Sequence, residues 1–207
     1  MMTYVLIGCL IAYLLGSIPF SVWIGKTFYG IDVREHGSGN AGATNTLRVL
    51  GKKTGFIVLF LDSLKGFLAA NVTQLLPLEI EAPLLNYQML FGMMAVVGHI
   101  YPVFANFKGG KGIATLLGVV IAMSWYVSLC CMLTFVVLVW LTKYISVGSM
   151  LTCIFSPLYV FAIHGNEMLF IYFCIGIAIM VIYTHRSNIK RLISGTENKF
   201  TFKPKTV

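Results

Sequence analysis

Charged side chains are scarce in this chain of 207 residues, because Asp, Glu, Lys and Arg make up only 11% of it. A typical globular protein has about 25%. Hydrophobic residues make up 58% of the chain. This composition excludes a soluble domain of this length, and it excludes a disordered chain, which needs low hydrophobicity and high net charge. The length fits one domain, which we expect to comprise residues 1–207.

Acidic residues are especially few, since seven Asp and Glu stand against fifteen Lys and Arg, a net charge of +8. Such an excess is typical of proteins that bind nucleic acid, an anionic membrane surface or anionic small molecules. In a membrane protein it also arises when basic loops are retained on the cytoplasmic side. The positions of the basic residues decide between these interpretations.

Cysteine motifs and a cleavable leader are both absent. The five cysteines lie in apolar runs without a C-x-x-C pair or a His at metal-ligand spacing, so we expect buried thiols and neither a metal site nor a disulfide framework. Residues 1–23 carry no charge and lack the basic start of a signal peptide. We expect this segment to be the first transmembrane helix.

Six apolar stretches follow one another, near residues 2–25, 54–76, 84–106, 113–142, 147–164 and 167–184. About 20 apolar residues cross a bilayer, so five of the stretches suit one helix each. The fourth is compatible with one long helix or with two short ones.

The basic residues favour two helices in the fourth stretch. If this stretch forms two helices, the N-terminus lies outside and the C-terminus lies in the cytoplasm. In that topology 14 of the 15 basic residues share the cytoplasmic side. The remaining one, Lys65, lies within a span, and the outside loop 77–83 has only Glu79 and Glu81 as charged residues. We therefore predict an all-α integral membrane protein of about seven transmembrane helices. Two helices of about 14 residues would each reach only about 21 Å, which requires local thinning or burial among other helices.

Three polar segments lie on the cytoplasmic side of this topology, at residues 36–48, 106–112 and 185–191. All three contain Lys or Arg with short polar side chains, and the first two are rich in glycine. Glycine lets backbone N–H groups approach phosphate oxygens, Lys and Arg supply charge, and a helix N-terminus favours anions. The segments together indicate an anion site at the cytoplasmic face, although one basic loop alone would indicate only topology.

Several well-known motifs are not present. The G-x-G-x-x-G pattern at 37–42 follows a membrane helix instead of a strand, and residues 110–112 lack the Ser or Thr of a Walker A loop. There is no G-x-S-x-G elbow. No His is followed by Asp at the His-x4-Asp spacing of the common glycerolipid acyltransferases.

Two charges lie deep in the second apolar stretch. Asp62 and Lys65 are three residues apart on one helical face, where an ion pair forms easily. Charges in a membrane span mark either a functional site or a pair that locks helices together, and here we favour the pair. His99 either lines the site or donates to a backbone carbonyl, and we favour the carbonyl.

The motif sequences resemble one family. GSGNAGATN at 37–45 with Arg48, GHIYP at 98–102 followed by FKGGKGIAT at 107–115, and HRSNIKR at 185–191 with GTE at 195–197 are similar to the three signature motifs of the bacterial acyl-phosphate:glycerol-3-phosphate acyltransferases, the PlsY family. Asp62, Lys65 and Gly66 also resemble that family. The likeness covers nearly the whole chain, in order.

The resemblance implies a seven-helix membrane fold and a reaction. A fatty acyl group passes from acyl phosphate to the 1-hydroxyl of sn-glycerol 3-phosphate, giving lysophosphatidic acid and phosphate, as the first acylation of phospholipid biosynthesis. Neither acyl-CoA nor acyl carrier protein is the direct donor, and no cofactor or metal is needed. The implied location is the bacterial inner membrane. Membrane lipid and the soluble acyltransferase that makes acyl phosphate are the implied partners, and nucleic acid is not one.

The resemblance also implies site residues. The implied catalytic residues are Ser38, Arg48, Lys111, His185 and Asn188. The implied substrate-binding residues are Gly39, Asn40, Thr44, Asn45, Lys108, Gly109, Gly110 and Arg186. Arg48 and Lys111 would neutralise charge, Gly39, Asn40 and Asn45 would shape the first loop, and His185 and Asn188 would orient the attacking hydroxyl. Either His185 or a substrate phosphate would take its proton.

Two other functions are compatible with part of the pattern. A membrane transporter of a phosphorylated small molecule places its binding groups near the bilayer midplane, often on broken helices, whereas here the motifs lie at one surface. A non-catalytic lipid-binding scaffold would not need three such motifs.

Overall fold

The described chain is helical. A computed structural model describes residues 2–76 and 83–200, and these residues contain no strand. Their α-helices are α1 (Met2–Gly16), α2 (Phe20–Tyr29), α3 (Ala43–Leu50), α4 (Lys52–Ala70), α5 (Leu84–Ile100), α6 (Ile113–Met123), α7 (Trp125–Thr142), α8 (Ile145–His164), α9 (Met168–Thr184) and α10 (Arg186–Ile193). Short 3-10 helices cover Val33–Glu35, Asn71–Leu75 and Val103–Ala105. The predicted all-α class is confirmed.

Five segments of the described chain are long and apolar enough to cross a membrane: Met2–Tyr29, Lys52–Leu75, Leu84–Ala105, Trp125–Thr142 and Ile145–His164. A sixth is counted if α9 and α10, bent by 60° at their junction, form one span. The structure therefore agrees with the multi-pass membrane class that the sequence predicts. The count of seven and the sidedness stay predictions. Glu79 and Glu81, and the tail lysines at 203 and 205, lie outside the described residues.

The fourth apolar stretch consists of two helices, as predicted, but they are unequal. α6 has 11 residues and α7 has 18. At 1.5 Å per residue α6 reaches only about 16 Å, whereas α7 is long enough to span alone. The break needs neither Gly nor Pro, because the Ser124 side chain accepts a hydrogen bond from the N–H of Val127 at 3.3 Å and caps α7.

The first span is broken, although a single helix was predicted there. α1 ends at Gly16 and α2 begins at Phe20. Pro19 cannot donate a backbone hydrogen bond, and the N–H of Val22 bonds the carbonyl of Pro19 at 3.0 Å, one residue closer than an α-helix requires. The carbonyl of Ile18 is thereby left without its helical donor.

The described chain divides into two compact units, the first ending at Met123 and the second beginning at Ser124. In the first unit α1, α4 and α5 pack around Ala12, Ala69, Phe91 and Ala95, and α6 packs against α4 and α5. Gly66 and Gly118 let α4 and α6 approach until backbone touches backbone, the packing that small residues allow inside membranes. In the second unit α8 packs against both α7 and α9. The single domain expected from the length stays a prediction.

Candidate active site

The first motif is held together by one buried amide. Asn45 is only 1% exposed. Its Nδ2 group donates to the carbonyls of Val33 and His36 at 2.7 and 3.0 Å, and its Oδ1 accepts from the N–H and the hydroxyl of Ser38 at 2.8 and 3.1 Å. Asn45 therefore shapes the loop, as the resemblance implies, and its amide is used within the loop.

Glycine is required where this loop turns over Asn45. Gly37 has a φ of +63°, in the left-handed region, and a Cβ atom at this position would overlap the Asn45 Oδ1. Gly39 has a φ of +72°. The chain then enters α3, where Thr44 and Arg48 are four residues apart and share one half-buried face. Asn40 is also half-buried, beside the start of this helix.

The glycines of the second motif have a role that differs from the one predicted. The N–H groups of Gly109 and Gly110 donate to the carbonyls of Ile100 and His99 at 3.2 and 3.1 Å, and so cap the C-terminus of α5. They are therefore not free for a phosphate oxygen. A Cβ on either glycine would overlap His99. What this turn presents is Lys111, half-buried, and the first N–H groups of α6, which a helix leaves without intrahelical partners. Lys108, two residues before Gly110, is exposed.

Arg34 ties the first loop to the second. Its Nη1 donates to the carbonyls of Ala105 and Lys108 at 3.0 and 3.4 Å. The same guanidinium forms a fork on Asp32, with Nη2 2.6 Å from Oδ2. The hydrogen bonds from Arg34 hold the pKa of the Asp32 carboxyl well below its usual range, against the opposing effect of burial. The first two motifs therefore lie side by side in the first unit.

The third motif, in the second unit, fixes the tautomer of His185. His185 is 3% exposed, at the bend between α9 and α10. Its Nδ1 lies 2.8 Å from the carbonyl of Val181. A carbonyl can only accept, so Nδ1 carries a proton, and when the imidazole is neutral Nε2 bears the lone pair. The ring is thus oriented as a hydrogen-bond acceptor or base at Nε2.

Asn188 belongs to a network centred on Glu197. The Glu197 carboxylate, 8% exposed, accepts from the amide of Asn188 at 2.6 Å, from the hydroxyl of Ser146 at 2.9 Å and from Nε of Arg191 at 2.7 Å. Burial raises the pKa of Glu197, but these hydrogen bonds outweigh burial and lower it. Because the amide nitrogen is bound to Glu197, the Asn188 oxygen is the atom that the network orients.

Arg186 lies apart from this network. Its guanidinium stacks on the Tyr183 ring at 4.6 Å, and Nη1 donates to the carbonyl of the same residue at 3.2 Å. Both residues are exposed. This placement does not support the predicted substrate-binding role.

Asp32, Arg34, Glu197 and Ser146 are positioning residues that were not predicted from the sequence. As a basic residue Arg34 indicates only topology, and Glu197 is recognisable only as part of a motif. The scarcity of acidic residues could have revealed Asp32 and Glu197. In a chain with seven acidic residues, an Asp or Glu inside a basic segment is a candidate ion-pair partner. No group of three or more His, Cys, Asp or Glu in residues 2–76 and 83–200 could hold a metal ion.

Glu197 gives a testable dependence of stability on pH. Since its pKa is lowered in the folded protein, its contribution is full above the unfolded value of about 4.3 and is lost as pH falls through the folded value. We expect Glu197→Gln to lower the melting temperature in detergent by about 5 °C at pH 7, the equivalent of about 2 kcal/mol. The difference from wild type should shrink below about pH 4.

The exposed Glu167 provides the control for this experiment. Glu167→Gln should leave the melting temperature nearly unchanged at both pH values. A Glu197→Gln difference that stays constant down to pH 3.5 would contradict the assigned network.

Comparison with known proteins gives a consistent result. A sequence model described as "Glycerol-3-phosphate acyltransferase" matches residues 6–195. The chain is 45% identical over 203 residues to a glycerol-3-phosphate acyltransferase of Bacillus cytotoxicus, covering 98% of each protein. It is 44% identical over 190 residues to the enzyme of the same name from Bacillus subtilis, covering 92% of this chain and 94% of that protein.

Two crystal structures are also similar, both of PlsY, an integral membrane glycerol 3-phosphate acyltransferase. The glycerol 3-phosphate form superposes with a TM-score of 0.86 at 42% identity, over 95% of this chain and 96% of that one. The lysophosphatidic acid form gives a TM-score of 0.84 at 41% identity, over 96% of each chain. The family predicted from the three motifs is confirmed: the chain belongs to the glycerol-3-phosphate acyltransferase family, as an integral membrane protein of the PlsY type.

Proposed function

We propose that this protein transfers a fatty acyl group from acyl phosphate to the 1-hydroxyl of glycerol 3-phosphate, the first acylation of phospholipid biosynthesis. The observation that supports the proposal best is the likeness, over nearly the whole chain, to PlsY solved with glycerol 3-phosphate and with lysophosphatidic acid. These ligands correspond to the acceptor and the product. The identity of the donor rests on the motif resemblance and on the absence of a His-x4-Asp pair.

The reaction needs no protein nucleophile. The hydroxyl oxygen forms a bond to the acyl carbon, the bond from that carbon to the phosphate oxygen breaks, and the phosphate leaves. The proton of the hydroxyl ends on the released phosphate. Acyl phosphate is an activated anhydride, so the protein contributes by positioning two anions and by stabilising the charge that develops between them.

Cations of the first unit supply that stabilisation. Lys111 follows the glycine turn that caps α5, and Arg48 shares a helix face with Thr44. We assign both to substrate phosphate, together with Ser38, whose hydroxyl donates to Asn45. A cation between two phosphates lowers their repulsion before and during the reaction.

His185 of the second unit suits the task of accepting the hydroxyl proton. The hydrogen bond from Nδ1 to Val181 leaves the lone pair at Nε2, which is the arrangement of a neutral general base. The hydroxyl donates its single proton to His185, and Asn188, held by Glu197, contributes its amide to the placement of glycerol 3-phosphate. We propose that these two residues orient the attacking hydroxyl.

The proposed location is the inner membrane of a bacterial cell, with membrane lipid around the apolar helices. A soluble acyltransferase that produces acyl phosphate is the proposed supplier of the donor, since acyl phosphate hydrolyses readily and benefits from direct delivery.

Donor choice tests the proposal. Purified protein is incubated with glycerol 3-phosphate and, in separate reactions, with acyl phosphate, acyl-CoA or acyl carrier protein as donor. Lysophosphatidic acid and phosphate should form in equal amounts with acyl phosphate only. Turnover with acyl-CoA and none with acyl phosphate would overturn the donor assignment. Movement of glycerol 3-phosphate into vesicles without acylation would favour the transporter.

A further inference from the structure

Three buried polar side chains lie directly beneath the turn of the second motif. Asp62, Lys65 and His99, here called the buried ion group, are 1%, 3% and 6% exposed. Lys65 Nζ lies 2.8 Å from Asp62 Oδ1, and His99 Nδ1 lies 3.5 Å from the same oxygen. The prediction that His99 donates to a backbone carbonyl is wrong, because the ring faces Asp62.

At one end of the buried ion group, Lys65 donates a hydrogen bond at the break in the first span. Lys65 Nζ donates at 2.7 Å to the carbonyl of Ile18, the group that lost its helical donor at Pro19. The ammonium also lies 5.6 Å from the centre of the Phe20 ring, a favourable distance for a cation over an aromatic face. Lys65 therefore joins α4 to the α1–α2 break.

The other end contacts the turn itself. The His99 Nε2 atom lies so close to Gly110 that a Cβ there would overlap it, and the same Cβ would be 3.1 Å from the carbonyl of Ala41 in the first motif. The carbonyl of His99 also accepts the N–H of Gly110 at 3.1 Å. All three members of the buried ion group line one cavity together with Gly109, Gly110 and Ala41. The position of the His99 ring thus limits where the turn, and the Lys111 that follows it, can lie.

Burial of this group inside a membrane span is expensive. Removing ions from water is unfavourable, and an ion pair in such a place is weak evidence for a purely stabilising role. Helices can be joined more cheaply by apolar packing, as α4 and α6 are at Gly66 and Gly118. The buried ion group instead lies next to residues of both motifs of the first unit, Ala41 and Gly110.

We propose that Asp62, Lys65 and His99 are positioning residues that set the place of Lys111 through the contact of His99 with Gly110. Lys65 fixes Asp62, Asp62 fixes the His99 ring, and the ring fixes the turn. The proposal rests on the proposed role of Lys111 at a substrate phosphate.

A double-mutant cycle tests the chain of contacts. The main variant is Asp62→Asn combined with Lys65→Met, which leaves no buried charge without a partner and so protects folding. We expect it to fold, with a melting temperature lowered by a few degrees because the Ile18 carbonyl loses its Lys65 donor. We also expect it to lose about tenfold in kcat/KM, since small displacements of catalytic groups reduce rate strongly. The same pair of changes in a Lys111→Ala background should have almost no further effect, because the group acts through Lys111.

A matched control lies on the same helix as His99. Gln88 is a buried polar residue of α5 that donates to Asn71 and Ala122, away from the turn. Gln88→Met should leave kcat/KM unchanged in both backgrounds.

Each outcome has a distinct meaning. If Lys111→Ala retains wild-type kinetics, the proposed role of Lys111 at the phosphate fails. If Lys111→Ala is impaired, but the double variant is fully active or its effect adds to that of Lys111→Ala, the positioning role fails and the buried ion group only stabilises helix packing. A double variant that does not fold would also count against the proposal, which requires the group to be dispensable for folding.

Discussion

Lys111→Ala is expected to lower kcat/KM by about 10² while the protein stays folded and inserted. Two phosphates must lie close together, and a cation beside them at about 4 Å contributes roughly 4 kcal/mol at an effective dielectric of 20. Loss of about 3 kcal/mol of transition-state stabilisation slows the reaction by about 10². Lys111 is half-buried, so solvent screens it only in part. Initial rates with both substrates varied provide the measurement.

Two further variants make this result specific. Lys111→Arg should recover only part of the rate, because a planar guanidinium does not replace a compact ammonium. Lys53, exposed in the first turn of α4, is the control, and Lys53→Ala should be close to wild type. Lys26 is less suitable as a control, because it lies 3.3 Å from Asp32, the carboxylate that accepts the hydrogen bonds of Arg34. If Lys111→Ala and Lys53→Ala both keep normal kinetics, the second motif is only a topology signal.

The membrane class and the division of 113–142 could be predicted because each depends on a property summed over many residues. Apolar composition and the sidedness of basic residues do not require knowledge of individual contacts. The motifs were recognisable for a similar reason, since short polar side chains and glycines stand out in a chain with 11% charged residues.

The local roles within the motifs could not be predicted in the same way. Gly109 and Gly110 appeared suited to phosphate by residue type, but their N–H groups bond the end of α5. A backbone donor has one partner, and tertiary structure decides whether that partner is a carbonyl or a ligand. The unequal lengths of α6 and α7 depend likewise on the single cap at Ser124.

Ion-pair networks were hidden for a different reason. Arg34 and Glu197 contact residues that are distant in sequence, such as Ala105 and Ser146. Spacing along the chain reveals pairs three or four residues apart, such as Asp62 and Lys65, and is uninformative about the others. His99 joined that pair from another helix, which is why its partner was mispredicted.

Replacement of His185 should have an effect as large as that of Lys111 and should separate two roles of the ring. General base catalysis contributes about 10² to 10⁴ in rate. His185→Gln places an amide near the position of Nε2, so a hydrogen bond to the hydroxyl survives while proton transfer does not. We expect kcat to fall by at least about 10², with a small change in KM for glycerol 3-phosphate.

His185→Asn provides the complementary variant, because its amide reaches only the Nδ1 position beside Val181 and presents nothing at Nε2. It should lower kcat as His185→Gln does and, in addition, raise KM for glycerol 3-phosphate, since the hydroxyl loses its partner. Ser187→Ala, an exposed neighbour in α10, should match wild type. If His185→Gln keeps wild-type kcat, the ring only orients the hydroxyl, and the proton passes directly to a substrate phosphate.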